Sequence, residues 1–128
     1  MSLVVAALRL SQFRSHRRTE GRFGPRPVVL TGPNGAGKTN LLEALSLLVP
    51  GRGLRRAAAD DMARAGAGTG WQVAAQLQGP AGWHEVETGA APGAPRTTRI
   101  DGKAAPQTAL AGLVSMVWLT PAMDRLWL

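Results

Sequence analysis

Apolar and polar residues alternate from the start of the chain. Val4, Ala6, Leu8 and Leu10 fall on one face, and Val5, Ala7, Arg9 and Ser11 on the other. A period of two predicts a half-buried strand over residues 3–11. The next stretch, Phe13-Arg14-Ser15-His16-Arg17-Arg18, turns basic. Val28-Val29-Leu30-Thr31 is a short unbroken apolar run, the mark of a strand buried on both faces. A glycine-rich break follows, and from Lys38 to Val49 the period becomes helical. Leu41, Leu42, Ala44, Leu45, Leu48 and Val49 cover much of the circumference, which predicts a buried helix. Pro50-Gly51 stops it, and Asp60-Asp61 marks a further helix start. Period two returns with Trp71, Val73, Ala75 and Leu77 set against Gln72, Ala74, Gln76 and Gln78. Residues 83–88 are the hairpin partner of that strand across Gly79-Pro80-Ala81-Gly82. Residues 89–95 read as a loop and 96–101 as a strand closed by the Asp101-Gly102 turn signal. A short helix over 108–113 and a strand over 114–119 complete the order.

The break between strand and helix is where chemistry enters. Gly32-Pro33-Asn34-Gly35-Ala36-Gly37-Lys38-Thr39 satisfies G-x-x-x-x-G-K-[ST] at every position. Glycines in such a loop take positive φ and bring backbone N–H groups against phosphate oxygens. The loop feeds the start of a helix, whose unpaired N–H groups and dipole favour an anion. Lys38 is placed to meet the β- and γ-phosphates, and the Thr39 hydroxyl to complete the coordination of a magnesium ion. The expected ligands are therefore ATP, or another nucleoside triphosphate, and Mg2+. The fold class that follows is α/β, more narrowly an α+β lobe of a P-loop NTPase in which a strand and helix flank the loop beside an antiparallel β portion.

Composition changes this picture in two ways. The chain has no cysteine, so neither a disulfide framework nor a cysteine metal site is available. It also has no run of 18 apolar residues and no basic-then-apolar leader, which predicts a cytoplasmic protein with no membrane partner. The net charge is +7, and thirteen of the fifteen basic residues are arginine. Such a balance favours polyanions. An arginine-rich, lysine-poor chain also fits a GC-rich genome, so charge alone leaves DNA binding open. The cluster from Arg14 to Arg26 reads either as a DNA-phosphate track or as a solvated strand–turn–strand surface. Arg52, Arg55 and Arg56 are candidates for phosphate or for the negative end of the preceding helix. His16 and His84 lie in unrelated patterns and read as structural. Trp71, Trp83, Trp118 and Trp127 read as core or lobe-interface residues, and Glu85 and Glu87 as one exposed strand face. No paired carboxylates or nucleophile–base arrangement stands out.

The run from Gly32 to Leu45, Gly-Pro-Asn-Gly-Ala-Gly-Lys-Thr-Asn-Leu-Leu-Glu-Ala-Leu, resembles the ABC-type ATPase heads of the RecF, SMC and Rad50 group. Four further segments look more narrowly like the RecF family. They are Leu8-Arg9-Leu10-Ser11-Gln12-Phe13-Arg14-Ser15, Gly51-Arg52-Gly53-Leu54-Arg55-Arg56, Arg99-Ile100-Asp101-Gly102-Lys103 and Trp118-Leu119-Thr120-Pro121. The resemblance covers essentially the whole chain. It implies an ABC-type head of two lobes, with ATP held between two copies in an ATP-dependent homodimer. It further implies DNA as a partner, at single-stranded/double-stranded junctions, and recombinase loading with RecO- and RecR-type mediators. On this reading Gly32, Pro33, Asn34, Gly35, Ala36, Gly37, Lys38 and Thr39 hold phosphate and magnesium, and Arg14 approaches the nucleotide. The family's signature motif, Walker B acid and catalytic glutamate find no counterpart here, and Ala122 stands where the family often has an acid after proline. Residues 1–128 then read as the N-terminal lobe of a longer protein, able to bind ATP without hydrolysing it alone. Its sheet is expected to keep an exposed edge and its stability to be marginal. The alternatives are an SMC/Rad50-type head, which would continue into long heptad-patterned helices, and a P-loop kinase, which would need an arginine-lined lid that the strand-rich 71–101 stretch does not supply.

Overall fold

The computed structural model describes residues 4–24, 38–51, 53, 56–66, 68–79 and 82–113. The expected strands at 28–31 and 114–119, and the loop Gly32–Gly37 between them in the chain, lie outside the described residues.

The described strands are β1 (Val4–Phe13), β2 (His16–Arg22), β3 (Trp71–Gly79), β4 (Gly82–Ala90), β5 (Thr97–Ile100) and β6 (Lys103–Ala105). They form one six-stranded sheet in the order β2-β1-β3-β4-β5-β6, with every neighbouring pair antiparallel. The helix α1 spans Lys38–Ser46, and short 3-10 turns occupy Ala59–Met62 and Gln107–Gly112. The β3–β4 hairpin carries the longest ladder, from Trp71↔Ala90 to Gly79↔Gly82. Its register puts Val73, Ala75 and Leu77 on the same face as Val86, Thr88 and Ala90, and all six are buried. Facing them from α1 and its tail are Ala44, Leu47 and Leu48, which with Leu8, Leu10 and Phe13 close one core.

Two sequence expectations shift. The alternation in β1 is interrupted by a bulge between Val5 and Ala7, so Val5 pairs with Leu77 and packs against the core. The extra residue of a bulge reverses which side chains face inward. Val4 and Ala6 therefore do not extend the buried row of Leu8 and Leu10. The helix ends at Ser46 rather than Val49. Leu47 and Leu48 donate to Ala44 and Leu45 at 3.1 Å each, i→i−3 bonds that tighten the final turn. Nor is α1 covered all round among the described residues, since Leu42 is 49% exposed. The two short helices are 3-10 rather than α. Of the tryptophans expected in a core or lobe interface, Trp71 is a core residue, with its indole N–H on Ala59 O at 2.7 Å. Trp83 is 58% exposed and so not in this core, and Trp118 and Trp127 lie outside the described residues.

One glycine in the turn after α1 has no substitute. Gly53 sits at φ 78°, and a Cβ there would lie 2.8 Å from Leu47 Cδ2 and 2.9 Å from Ser46 Oγ, both on buried side chains. Positive φ and collision act together, so Gly53→Ala is expected to destabilise the protein by about 2–3 kcal/mol. Urea unfolding would show this as a lower midpoint at unchanged slope; an unaltered midpoint would contradict it.

Candidate functional site

The helix α1 opens at Lys38, directly behind the glycine-rich segment. Its first turn contains no acidic residue, and Thr39 is exposed there. The positive end of the helix is thus unopposed by any acid in its first turn, which suits an anion. Of the candidate site residues, Gly32, Pro33, Asn34, Gly35, Ala36 and Gly37 lie outside the described residues. Lys38 and Thr39 form the first two positions of α1.

A turn between β1 and β2 holds this helix from the side. Phe13 pairs with His16 across Arg14-Ser15, and Arg14 takes a φ of 50°. The turn projects two side chains onto one face of α1. Arg14 donates through Nε to Glu43 Oε1 at 2.8 Å and through Nη2 to Glu43 Oε2 at 3.0 Å, a bidentate pair. Ser15 Oγ accepts from Asn40 Nδ2 at 2.8 Å. Asn40 and Glu43 are three residues apart and so share a helix face. Glu43 is fully buried, and the fork is the geometry in which a guanidinium best matches a carboxylate. On the other side of the turn, Arg14 N donates to Met62 O at 2.8 Å and Arg64 N to Gln12 O at 2.7 Å. Arg14, expected to approach a nucleotide, has its guanidinium engaged with Glu43 of α1.

The carbonyl end of α1 meets a cation that pattern reading did not single out. Arg96 donates from Nη2 to Leu47 O and from Nη1 to Gly51 O, both at 2.6 Å. Burial pushes this guanidinium down to about 10, so it stays charged at neutral pH. Arg52 and Arg55 lie outside the described residues, and Arg56 is exposed in a turn. Glu43 did leave a trace in the sequence, as an acid within an apolar helical run. Arg96 left none, because its partners are backbone carbonyls distant in the chain.

The remaining titratable candidates have polar partners of their own. His16 Nδ1 is 2.8 Å from Thr19 Oγ1, and His84 Nδ1 is 2.8 Å from Asp101 Oδ2. The Glu85 backbone N–H and then His84 hold the Asp101 carboxyl below its ordinary range. Glu85 is exposed, while Glu87 is partly covered and accepts from Gln72. On β2, Arg17, Arg18 and Arg22 are exposed, and Arg18 pairs with Glu20 at 2.9 Å. An open cavity of about 330 Å³ lies among Arg9, Glu20, Arg22, Gln76 and Glu85, charges of both signs. Among the described residues no helix is long and apolar enough to cross a membrane.

The AAA domain family matches residues 7–67, the stretch that runs from β1 through α1 to the Ala59–Met62 turn. A DNA replication and repair protein RecF from Allorhizobium ampelinum is 48% identical over 124 residues, covering 94% of this chain. The chain belongs to the RecF family. It spans about a third of the length of the curated RecF relatives it matches, 33% in that instance. The fold agrees. A structure of the recombination mediator protein RecF with ATP superposes with a TM-score of 0.86 at 21% identity, over 94% of this chain and 33% of that one. An SMC ATPase structure, from work on ATP-driven dimerisation and DNA-stimulated activation, gives 0.74 at 18% identity over 95% of each chain. The RecF-type lobe is therefore an ABC-type P-loop fold whose antiparallel portion is the six-stranded sheet described above.

Proposed function

We propose that residues 1–128 form the N-terminal, ATP-binding lobe of a RecF-type ATPase acting in DNA replication and repair. The observation that carries this reading is the bracing of α1. A helix that starts at Lys38, with Thr39 exposed and no acid in its first turn, is held on its flank by Arg14–Glu43 and Ser15–Asn40. Phosphate recognition by backbone N–H groups needs such a fixed helix start, because misplaced donors lose the oriented contacts. Gly32, Pro33, Asn34, Gly35, Ala36 and Gly37 would supply backbone donors and Lys38 a point charge to the phosphates. Thr39 would offer its hydroxyl to Mg2+, the ion that neutralises phosphate charge when bound.

The relatives support the wider reading. Their name assigns them to DNA replication and repair, and the similar SMC structure is described as dimerising under ATP. On that basis the lobe would join a second copy in an ATP-dependent homodimer. The dimer would engage DNA at single-stranded/double-stranded junctions in the cytoplasm and load recombinase with RecO- and RecR-type mediators. Hydrolysis would require catalytic groups beyond those in this lobe.

Lys38→Ala tests the core of the proposal. Titration calorimetry with ATP and Mg2+ is expected to show affinity reduced by roughly 10- to 100-fold, the worth of a hydrogen bond from a charged group. Circular dichroism should be unchanged. Near-native affinity in a folded Lys38→Ala protein would overturn ATP binding at this loop.

A further inference from the structure

Arg96 stands immediately before β5, yet its guanidinium reaches the tail of α1 and three other segments. Nη2 donates to Leu47 O and Nη1 to Gly51 O, each at 2.6 Å. Nη1 also donates to Gln107 Oε1 at 3.3 Å, and Nε donates to Thr88 Oγ1 at 2.5 Å. The same Gln107 oxygen accepts the Gly51 N–H at 3.2 Å, so the cation, the amide and the chain after α1 close a ring. Thr88 is buried in β4 and anchors this group to the centre of the sheet.

We propose that Arg96 is a positioning residue for the nucleotide site, setting where along its axis the P-loop helix lies and hence where Lys38 and Thr39 stand. The inference rests on the ATP-binding reading above. Its physical basis is the division of restraints on α1. Arg14 and Ser15 hold the flank of the helix through Glu43 and Asn40. Leu47 follows the last residue of α1 and Gly51 lies in the turn beyond it, so the grip on their oxygens tethers the tail of the helix to the sheet, at a different point from the Asn40 and Glu43 contacts. With nine residues, α1 is about 13 Å long and stiff, and a slip at its tail is passed to its head. The task calls for arginine in particular. A planar fork can serve two carbonyls, an amide oxygen and a hydroxyl at once, whereas an ammonium on a flexible stem offers one point charge. Partial burial shields part of the fork from water, and the group remains protonated at neutral pH.

Arg96→Lys, Arg96→Met and Gln107→Ala, measured beside wild type and Lys38→Ala, decide the matter. ATP affinity with Mg2+ is read by calorimetry well below each melting temperature, and stability by scanning calorimetry. The expected result is that Arg96→Lys largely restores the melting temperature lost in Arg96→Met but still binds ATP about tenfold more weakly, since small misplacements of binding groups are expensive. Gln107→Ala, which breaks the ring and leaves the cation, should lose affinity about threefold. Should Arg96→Met fail to fold, the other two variants carry the test. Variants that melt lower yet keep ATP affinity within twofold of wild type would overturn the proposal, leaving Arg96 a stabilising residue only. A Lys38→Ala protein that also keeps wild-type affinity would instead remove the ATP-binding reading beneath it.

Discussion

Glu43→Ala is expected to destabilise the lobe by about 3 kcal/mol, at the lower end of the 3–5 kcal/mol typical for breaking a buried ion pair. The reason is asymmetric burial. Glu43 is 0% exposed, whereas Arg14 is 22% exposed and can turn partly to water once its partner is gone. Removal of the carboxylate also empties a closely packed site between α1 and the β1–β2 turn. Glu43→Gln keeps the shape and one acceptor oxygen, so about half the loss is expected. A double-mutant cycle with Arg14→Ala should return a coupling of about 1–3 kcal/mol, since the two groups are in direct contact. The measurement is urea unfolding of the four proteins. Additive effects would mean that the pair is not what holds the helix to the turn.

Phe13→Ala is expected to be as damaging or more so, about 3–5 kcal/mol. Phe13 is fully buried, and its ring meets that of Trp71 edge-on, at a centroid distance of 5.5 Å and an angle of 65°. The residue also pairs by backbone with Ala63, so the chain is held on both sides and the surroundings cannot collapse into the vacated volume. An unrelieved cavity carries the transfer cost and the lost contacts together. Domains of ordinary stability have about 5–15 kcal/mol in total, so this one change should bring the protein close to unfolding. Thermal melting followed by near-ultraviolet circular dichroism, which reports the Phe13–Trp71 environment, would register it. Phe13→Leu, which fills part of the space, should recover a good share. A loss below about 1 kcal/mol for Phe13→Ala would show that the ring is not a core element.

These two residues also show what pattern reading reaches. The period-two runs at β1 and β3, the hairpin across Gly79–Gly82 and the Asp101-Gly102 turn were legible because side-chain alternation and turn chemistry are local. The start of α1 at Lys38 was legible for the same reason. The end of β1 was not. Gln12 and Arg14 both adopt positive φ, and neither is a residue type that announces it. Surroundings impose that conformation: the backbone bonds from Arg14 N to Met62 O and from Arg64 N to Gln12 O tie the turn to a segment about fifty residues away. The bulge in β1 escaped for a related reason, since a single extra residue leaves composition unchanged while reversing the inward face.

By itself the sequence led to the expectation of a phosphate-binding loop ahead of a helix (begun in the structure at Lys38), because the types and spacing of Gly32–Thr39 fit that motif without reference to the rest of the chain. It also determined, at 48% identity to a RecF protein, the family. The tertiary structure alone decided what braces that helix. The Glu43 carboxylate could have been a solvated surface charge, and Arg96 a loop cation among thirteen arginines. Their roles arise because the sheet order β2-β1-β3-β4-β5-β6 brings the β1–β2 turn to one part of α1 and the start of β5 to another. Contacts of that kind join residues 29 and 49 positions apart. No local periodicity encodes them, because their energy depends on burial and on carbonyl direction, and both exist only once the chain has folded.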